Sequence, residues 1–179
     1  LFDEVREPAF VMTSANPPNE PIVKENHEAV QKLGPVVDFF LFHDRAIAQR
    51  CDDSVVRLHG ENQSIIRRSR GYAPEPVQLR WSAPRCALGT GGELNVSSCV
   101  LLRDKAFVSQ HIGDVENLET LEFLKSATSH LIRLTNSEIE VIACDLHPKF
   151  STTRLAHSLA NGMECSVVPV QHHHAHIAS

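Results

Sequence analysis

The segment from Cys86 to Val170 constrains the fold most strongly, because its apolar residues change period in one fixed order. Short extended runs come first. Residues 86–88 lead into the glycine-rich turn Thr90-Gly91-Gly92, 96–102 read as a strand, Arg103-Asp104-Lys105 is a tight turn, and 106–111 form the next strand. Then the period lengthens. Asn117 stands at a helix N-cap with Glu119 in the first turn. Leu118, Leu121, Leu124, Thr128, Leu131 and Ile132 recur at three and four to about Leu134, which predicts one core-facing stripe. Residues 139–144 follow as a buried strand, 151–160 as a helix closed by Asn161-Gly162, and 165–170 as a strand. The pattern excludes an all-helical or all-β domain.

Three strands, helix, strand, helix, strand is the order of a ribonuclease H-like half-domain, the unit duplicated in the actin, sugar-kinase and heat-shock ATPase superfamily. The glycine-rich turn suits that fold, since backbone N–H groups approach a phosphate closely only where no Cβ intervenes. Upstream the chain reads differently. Residues 9–12 predict a buried strand, 13–21 a turn-rich loop, 25–33 a helix stopped by Gly34-Pro35, and 36–42 a strongly apolar strand. Two β-branched strands, 54–58 and 63–68, come next. Between Ser69 and Pro84 the residues Gly71, Pro74, Pro76 and Pro84 interrupt any period and predict a domain boundary, dividing the chain into 1–80 and 81–179. With no initiator Met before Leu1 and a motif running to Ser179, the expectation is a piece of a longer protein.

Charge narrows the function classes. With 17 basic and 22 acidic residues the net charge is −5, which argues against a nucleic-acid or membrane-surface protein that binds through a basic field. No apolar run approaches the ~20 residues of a membrane span and no signal segment opens the chain, so a cytoplasmic address with no membrane partner is expected. Five widely spaced cysteines form no C-x-x-C pair and suggest neither a disulfide framework nor a zinc knuckle. Histidine is the unusual component: eleven residues, four of them in the last eight.

That histidine run is one of three candidate sites. His172 and His176 are spaced i, i+4, so on a helix both imidazoles leave the same face and can share a metal ion, while His173 faces elsewhere. Two ligands are an incomplete set. The second candidate pairs Ser14 and Asn16, at a turn able to hold the polar rim of a nucleotide, with Arg67, Arg68 and Arg70, three guanidinium groups within four residues. Solvated loop arginines would give the same spacing. No G-x-S-x-G context frames Ser14 or Ser54 as a nucleophile. Third, Asp145 and His147 in Cys144-Asp145-Leu146-His147-Pro148 stand just past a buried strand, where α/β sheets bind ligands; Asp145 could equally cap the next turn.

Seven stretches in order carry a resemblance: T-S-A-N-x-x-x-E-P-I (13–22), F-L-x-H-D-R-x-I-x-x-R-x-D-D-S-V-V-R (40–57), I-x-R-R-S-R-G-Y-A-P-x-P (65–76), L-G-x-G-G-E-L (88–94), S-Q-H-I-G-D-x-E-N-L-E-T (109–120), C-D-L-H-P (144–148) and V-Q-H-H-H-A-H-I-A-S (170–179). Over nearly its whole length the chain resembles the HypF-type carbamoyltransferases of nickel–iron hydrogenase maturation. The resemblance implies the C-terminal part of a YrdC-like twisted α/β nucleotide-binding domain (1–80), followed by the start of a Kae1-like, ribonuclease H-like domain (81–179). It implies an ATP-dependent reaction in which carbamoyl phosphate supplies a carbamoyl group that is adenylated. The carbamoyl adenylate then donates to the C-terminal cysteine of a HypE-type acceptor protein.

By matching motif, Ser14, Asn16, Ser54, Arg67, Arg68 and Arg70 would belong to the first nucleotide site. Gly91 and Gly92 would be the phosphate turn of the second site, and His172 and His176 its zinc or iron ligands. Magnesium would accompany the nucleotide. Asp145 and His147 would be possible substrate-site residues. In the family G-G-E-L usually continues with Lys-Asn, whereas here Asn95-Val96 follows, so the positive charge expected beside the turn is missing. The family's acylphosphatase domain, zinc-finger pairs and third metal ligand are absent from this chain, which is therefore expected to be inactive alone. Two alternatives remain: a tRNA threonylcarbamoyl-transfer protein, disfavoured by the acidic charge, and a non-catalytic metal-binding or docking module.

Overall fold

The computed structural model describes residue 9 and residues 11–179, which divide into two compact units, one ending at Arg50 and one running from Cys51 to Ser179. Among the described residues the first unit carries one helix, α1 (Asn26–Leu33), stopped as expected at Gly34 and burying Leu33. Charged side chains tie it together: Lys32 Nζ lies 2.6 Å from Glu20 and 3.1 Å from Glu28, and Arg50 reaches the Ile22 carbonyl at 2.6 Å.

The apolar run 36–42 is not a strand. Phe39 is 92% and Leu41 100% exposed, and among the described residues no strand pairs with it; without a neighbour to take its backbone hydrogen bonds, β-propensity alone cannot hold a strand. Residues 11 and 12 likewise lie in no strand and are exposed, and Phe10 lies outside the described residues.

In the second unit a hairpin comes first, β1 (Val55–His59) against β2 (Asn62–Arg67), matching the two β-branched runs. A six-stranded sheet follows. Its members are β3 (Val77–Gln78), β4 (Ala87–Gly89), β5 (Cys99–Leu102), β6 (Lys105–Val108), β7 (Val141–Asp145) and β8 (Ser166–Val170), in the order β3-β6-β5-β4-β7-β8. The meander β4-β5-β6 is antiparallel, while β4, β7 and β8 run parallel, with Leu88 opposite Ile142 and Ile142 opposite Val167. This is the α/β sheet the residue order predicts.

The meander's middle strand, β5, is shorter than the 96–102 reading. Val96 makes only an isolated bridge to Gly113, and the Ser98 N–H donates to the Ser109 hydroxyl at 3.0 Å rather than to a backbone carbonyl, so a side chain interrupts the ladder. The short edge strand β3 lies in the Pro-rich stretch read as a boundary; two residues carry no readable period.

The helices α2 (Leu118–Thr135) and α3 (Ser151–Met163) make the core with the sheet. Asn117 caps α2 as expected, its Oδ1 accepting the Thr120 N–H at 2.8 Å. Helix α3 runs through Asn161-Gly162 and ends at Glu164, whose left-handed φ of 54° closes it. Leu88, Val100, Ile142 and Cys144 alternate onto the sheet face that meets Leu131, Ala156 and Ala160. Phe123, Leu124, Ala127 and Leu155 fill a second cluster with Val96, Ile112 and Val115.

Ile142 is fully buried on the central parallel strand, so Ile142→Ala should destabilise the chain by about 2–5 kcal/mol in urea unfolding. Asn117→Ala, which removes the cap, should cost about 1 kcal/mol.

Candidate functional site: a cleft at the ends of the parallel strands

Where β4, β7 and β8 end side by side, the chain leaves each strand on the same edge of the sheet. The three departures are the turn 90–95 after β4, the loop 146–150 after β7, and α4 (His172–Ala178) after β8. Between them lies a cleft of about 1230 Å³, lined among others by Gly91, Gly92, Asp145, His147, His172 and His176. Six residues singled out in the sequence thus surround one space.

Gly91 sits there at φ 78°, and a Cβ on it would stand 3.0 Å from the Ser97 carbonyl oxygen, so both backbone and space require glycine. A Cβ on Gly92 would stand 3.4 Å from His172 Cε1; the turn packs directly on the imidazole. The turn is anchored by a residue that no local pattern reveals. Glu93 accepts the N–H of Ser151 at 2.9 Å and caps α3 from 58 residues away, where Phe150 offers no side-chain cap.

Asp145 uses both carboxylate oxygens. Oδ1 accepts the His147 N–H at 2.8 Å, the turn-capping role the sequence allows, and Oδ2 lies 2.7 Å from His172 Nδ1. The side chain is only 7% exposed. Burial pushes its carboxyl up, but the His147 N–H and the His172 ring together outweigh burial and hold it below the usual carboxylate range. His172 Nε2 in turn lies 3.1 Å from His176 Nε2. His147 stacks on Phe150 at the cleft rim, ring centroids 4.2 Å apart.

The resemblance implies a divalent metal at the histidine pair, and the donors suit one. The two Nε2 atoms lie 3.1 Å apart, close enough to share one ion, and the remaining ring nitrogen of His172 is held by a carboxylate, the usual support of a ligating imidazole. Imidazole nitrogen suits zinc or iron. Among the described residues no third His, Cys, Asp or Glu completes a set.

The other sequence candidates lie elsewhere. Arg67 and Arg68 line a smaller cavity of about 340 Å³ with Ile65, Ile66, Asn95, Ser97 and His111. His111 was not singled out from the sequence; burial, aided by the Arg67 charge, pushes its imidazole below the ordinary value. Arg68 donates to the carbonyls of Val108 at 3.4 Å and Glu75 at 2.5 Å. Arg70 does not line this cavity: it donates to the Cys51 carbonyl at 3.0 Å and lies 3.5 Å from Asp53. The Ser54 hydroxyl ties the hairpin base, donating to the Arg70 carbonyl at 2.9 Å and accepting the Ser69 N–H at 2.8 Å. Asn95 borders both cavities with φ 50°.

In the first unit, Asn16 Nδ2 closes its own loop onto the Pro17 and Glu20 carbonyls, at 3.0 and 2.9 Å, while its buried Oδ1 meets no partner among the described residues; Ser14 is exposed.

A mixed-sheet α/β domain with a cleft at the carboxyl edge of its parallel strands is the class that fold and cleft define. Comparison with known proteins makes it particular. The family model described as HypF Kae1-like domain matches residues 82–179, and one described as Telomere recombination, covering Sua5, YciO and YrdC proteins, matches 1–69. The chain belongs to the HypF family.

It is 45% identical over 180 residues to the probable carbamoyltransferase HypF of Methanocaldococcus jannaschii, covering 100% of this chain and 23% of that protein. To carbamoyltransferase HypF2 of Cupriavidus necator it is 49% identical over 173 residues, covering 95% of this chain and 21% of that one. The chain thus spans less than a quarter of the length of these relatives. A crystal structure of full-length HypF in a phosphate- and nucleotide-bound form superposes with a TM-score of 0.85 at 38% identity, covering 93% of this chain and 26% of that one. HypF of T. kodakarensis gives 0.85 at 40%, covering 93% and 22%. No helix among the described residues is long and apolar enough to cross a membrane.

Gly91→Ala should destabilise the chain by more than about 1 kcal/mol, since alanine fits neither the positive φ nor the contact with Ser97; thermal unfolding checks this. Asp145 also predicts a pH dependence. Because its folded pKa lies below the unfolded value, its contribution is present above about pH 4 and is lost as the pH falls through the folded value. The gap in urea midpoint between wild type and Asp145→Asn should therefore be open at pH 7 and narrow towards pH 3.

Proposed function

We propose that this chain is the segment of a HypF-type carbamoyltransferase that joins its adenylating site to its transfer site. Carbamoyl phosphate is hydrolysed to carbamate and inorganic phosphate, a carbamate oxygen attacks the α-phosphate of ATP with release of pyrophosphate, and the carbamoyl adenylate so formed donates to the C-terminal cysteine of a HypE-type acceptor. In the transfer step the thiolate attacks the carbamoyl carbon, the carbon–oxygen bond to the phosphate breaks, and AMP leaves. The observation that carries the reading is the convergence of the Gly91-Gly92 turn and the His172/His176 pair on one cleft.

Each part then has a task. The backbone at Gly91 and Gly92 receives the adenylate phosphate, where a side chain would block close approach. His172 and His176 would hold a divalent cation, which when bound would supply positive charge to the reacting phosphate ester. Arg67 and Arg68 offer two guanidinium groups to the phosphates of the first site, with Ser54 and Arg70 shaping the hairpin base beside them; magnesium accompanies ATP there. Asn95 adds no charge to the transfer cleft. The HypF relatives and their motifs, together with the net charge of −5, favour this over a tRNA-modifying role.

The test separates the two stages. In the full-length enzyme carrying this segment, a paired His172→Ala/His176→Ala change should leave carbamoyl-phosphate-dependent pyrophosphate release near wild type, while carbamoyl transfer to the acceptor falls to background. Transfer at the wild-type rate would refute the assignment of the cleft.

A further inference from the structure

We propose that Asp145 is a positioning residue for the histidine pair: its carboxylate selects the Nδ1–H tautomer of His172 and thereby aims Nε2 of that ring at the point shared with His176. The inference rests on the reading of His172 and His176 as metal ligands and adds a residue that neither touches the metal nor reacts.

The geometry divides the carboxylate between two jobs. Capping the turn after β7 requires only Oδ1, which accepts the His147 N–H at 2.8 Å. Oδ2 is left over, and it meets a ring 27 residues away, on another element, at 2.7 Å. An ionised carboxylate only accepts, so the ring atom facing it must carry the proton. The lone pair of a neutral His172 is then at Nε2, which is the atom 3.1 Å from His176 Nε2. The opposite assignment would set a lone pair against the carboxylate and turn an N–H into the shared point.

The ring is also held from the side. A Cβ on Gly92 would reach 3.4 Å from His172 Cε1, so the glycine turn and the carboxylate grip one imidazole between them. His172 is 59% exposed, which makes the fixing of its ring a matter of these contacts rather than of burial. The pair is asymmetric, because among the described residues no carboxylate holds the His176 ring in the same way. His172 is thus the pre-aimed ligand, and His176 the one that adapts.

Zinc titrated into the chain against a chromophoric chelator tests this. Asp145→Asn should weaken zinc binding about 10- to 100-fold, and His172→Ala should abolish it, with circular dichroism confirming that both variants are folded. In the metal-free wild type at pH 8, ring ¹⁵N shifts should report His172 as the Nδ1–H tautomer, a readout that a purely structural role would not move. Wild-type zinc affinity in Asp145→Asn alongside lost binding in His172→Ala would overturn the positioning role and leave the ligands standing. No zinc uptake by the wild type would overturn both. Should Asp145→Asn fail to fold, the tautomer decides alone: an Nε2–H ring overturns the proposal.

Discussion

The parallel pairing of β4 with β7 is the constraint from which the site follows. Ala87, Leu88 and Gly89 stand opposite Val141, Ile142 and Ala143, and the ladder is extended past Gly89 by the Thr90 N–H bonding to the Ala143 carbonyl at 3.1 Å. Parallel strands end on the same edge, so the glycine turn and the Asp145 loop must emerge together. The β7–β8 pairing repeats this and delivers α4 beside them. Leu88 and Ile142, both fully buried, lock the register, since a one-residue slip would turn them out of the core.

On that edge the polar contacts form a connected set. Glu93 fastens the turn to the start of α3, Gly92 lies against His172, His172 is held by Asp145, and Asp145 is held by the backbone of its own loop. An imidazole more than half exposed is thereby oriented without being buried. Exposure keeps the ring nitrogens open to an incoming ligand, while the carboxylate and the glycine limit where they point. On the proposed reading, a cleft assembled this way takes phosphate through backbone and a cation through side chains in one space.

Much of the second unit was legible from residue order. The Asn117 cap, the α2 stripe and the alternation of strand and helix depend on neighbours three or four residues away, and local spacing records such contacts. Residues 36–42 misled for the complementary reason. An apolar run announces that it can be a strand, but a strand exists only where a partner edge accepts its backbone, and none does among the described residues. Ser109 shortened β5 through a hydroxyl that competes with the backbone, a contact across 11 residues with no local signature.

For the candidate site the division is similar. Residue type and i, i+4 spacing alone put His172 and His176 on one helical face, required glycine at 91, and set an acid just past a strand end. Those are consequences of chain geometry over a few residues. Only the tertiary structure decided that Asp145 spends one oxygen on its turn and the other on His172, that Glu93 caps a helix 58 residues away, and that Arg67 and Arg68 share a cavity from which Arg70 is turned aside. Such pairings join elements distant in sequence, and the packing of the sheet, rather than any local preference, selects which polar groups meet.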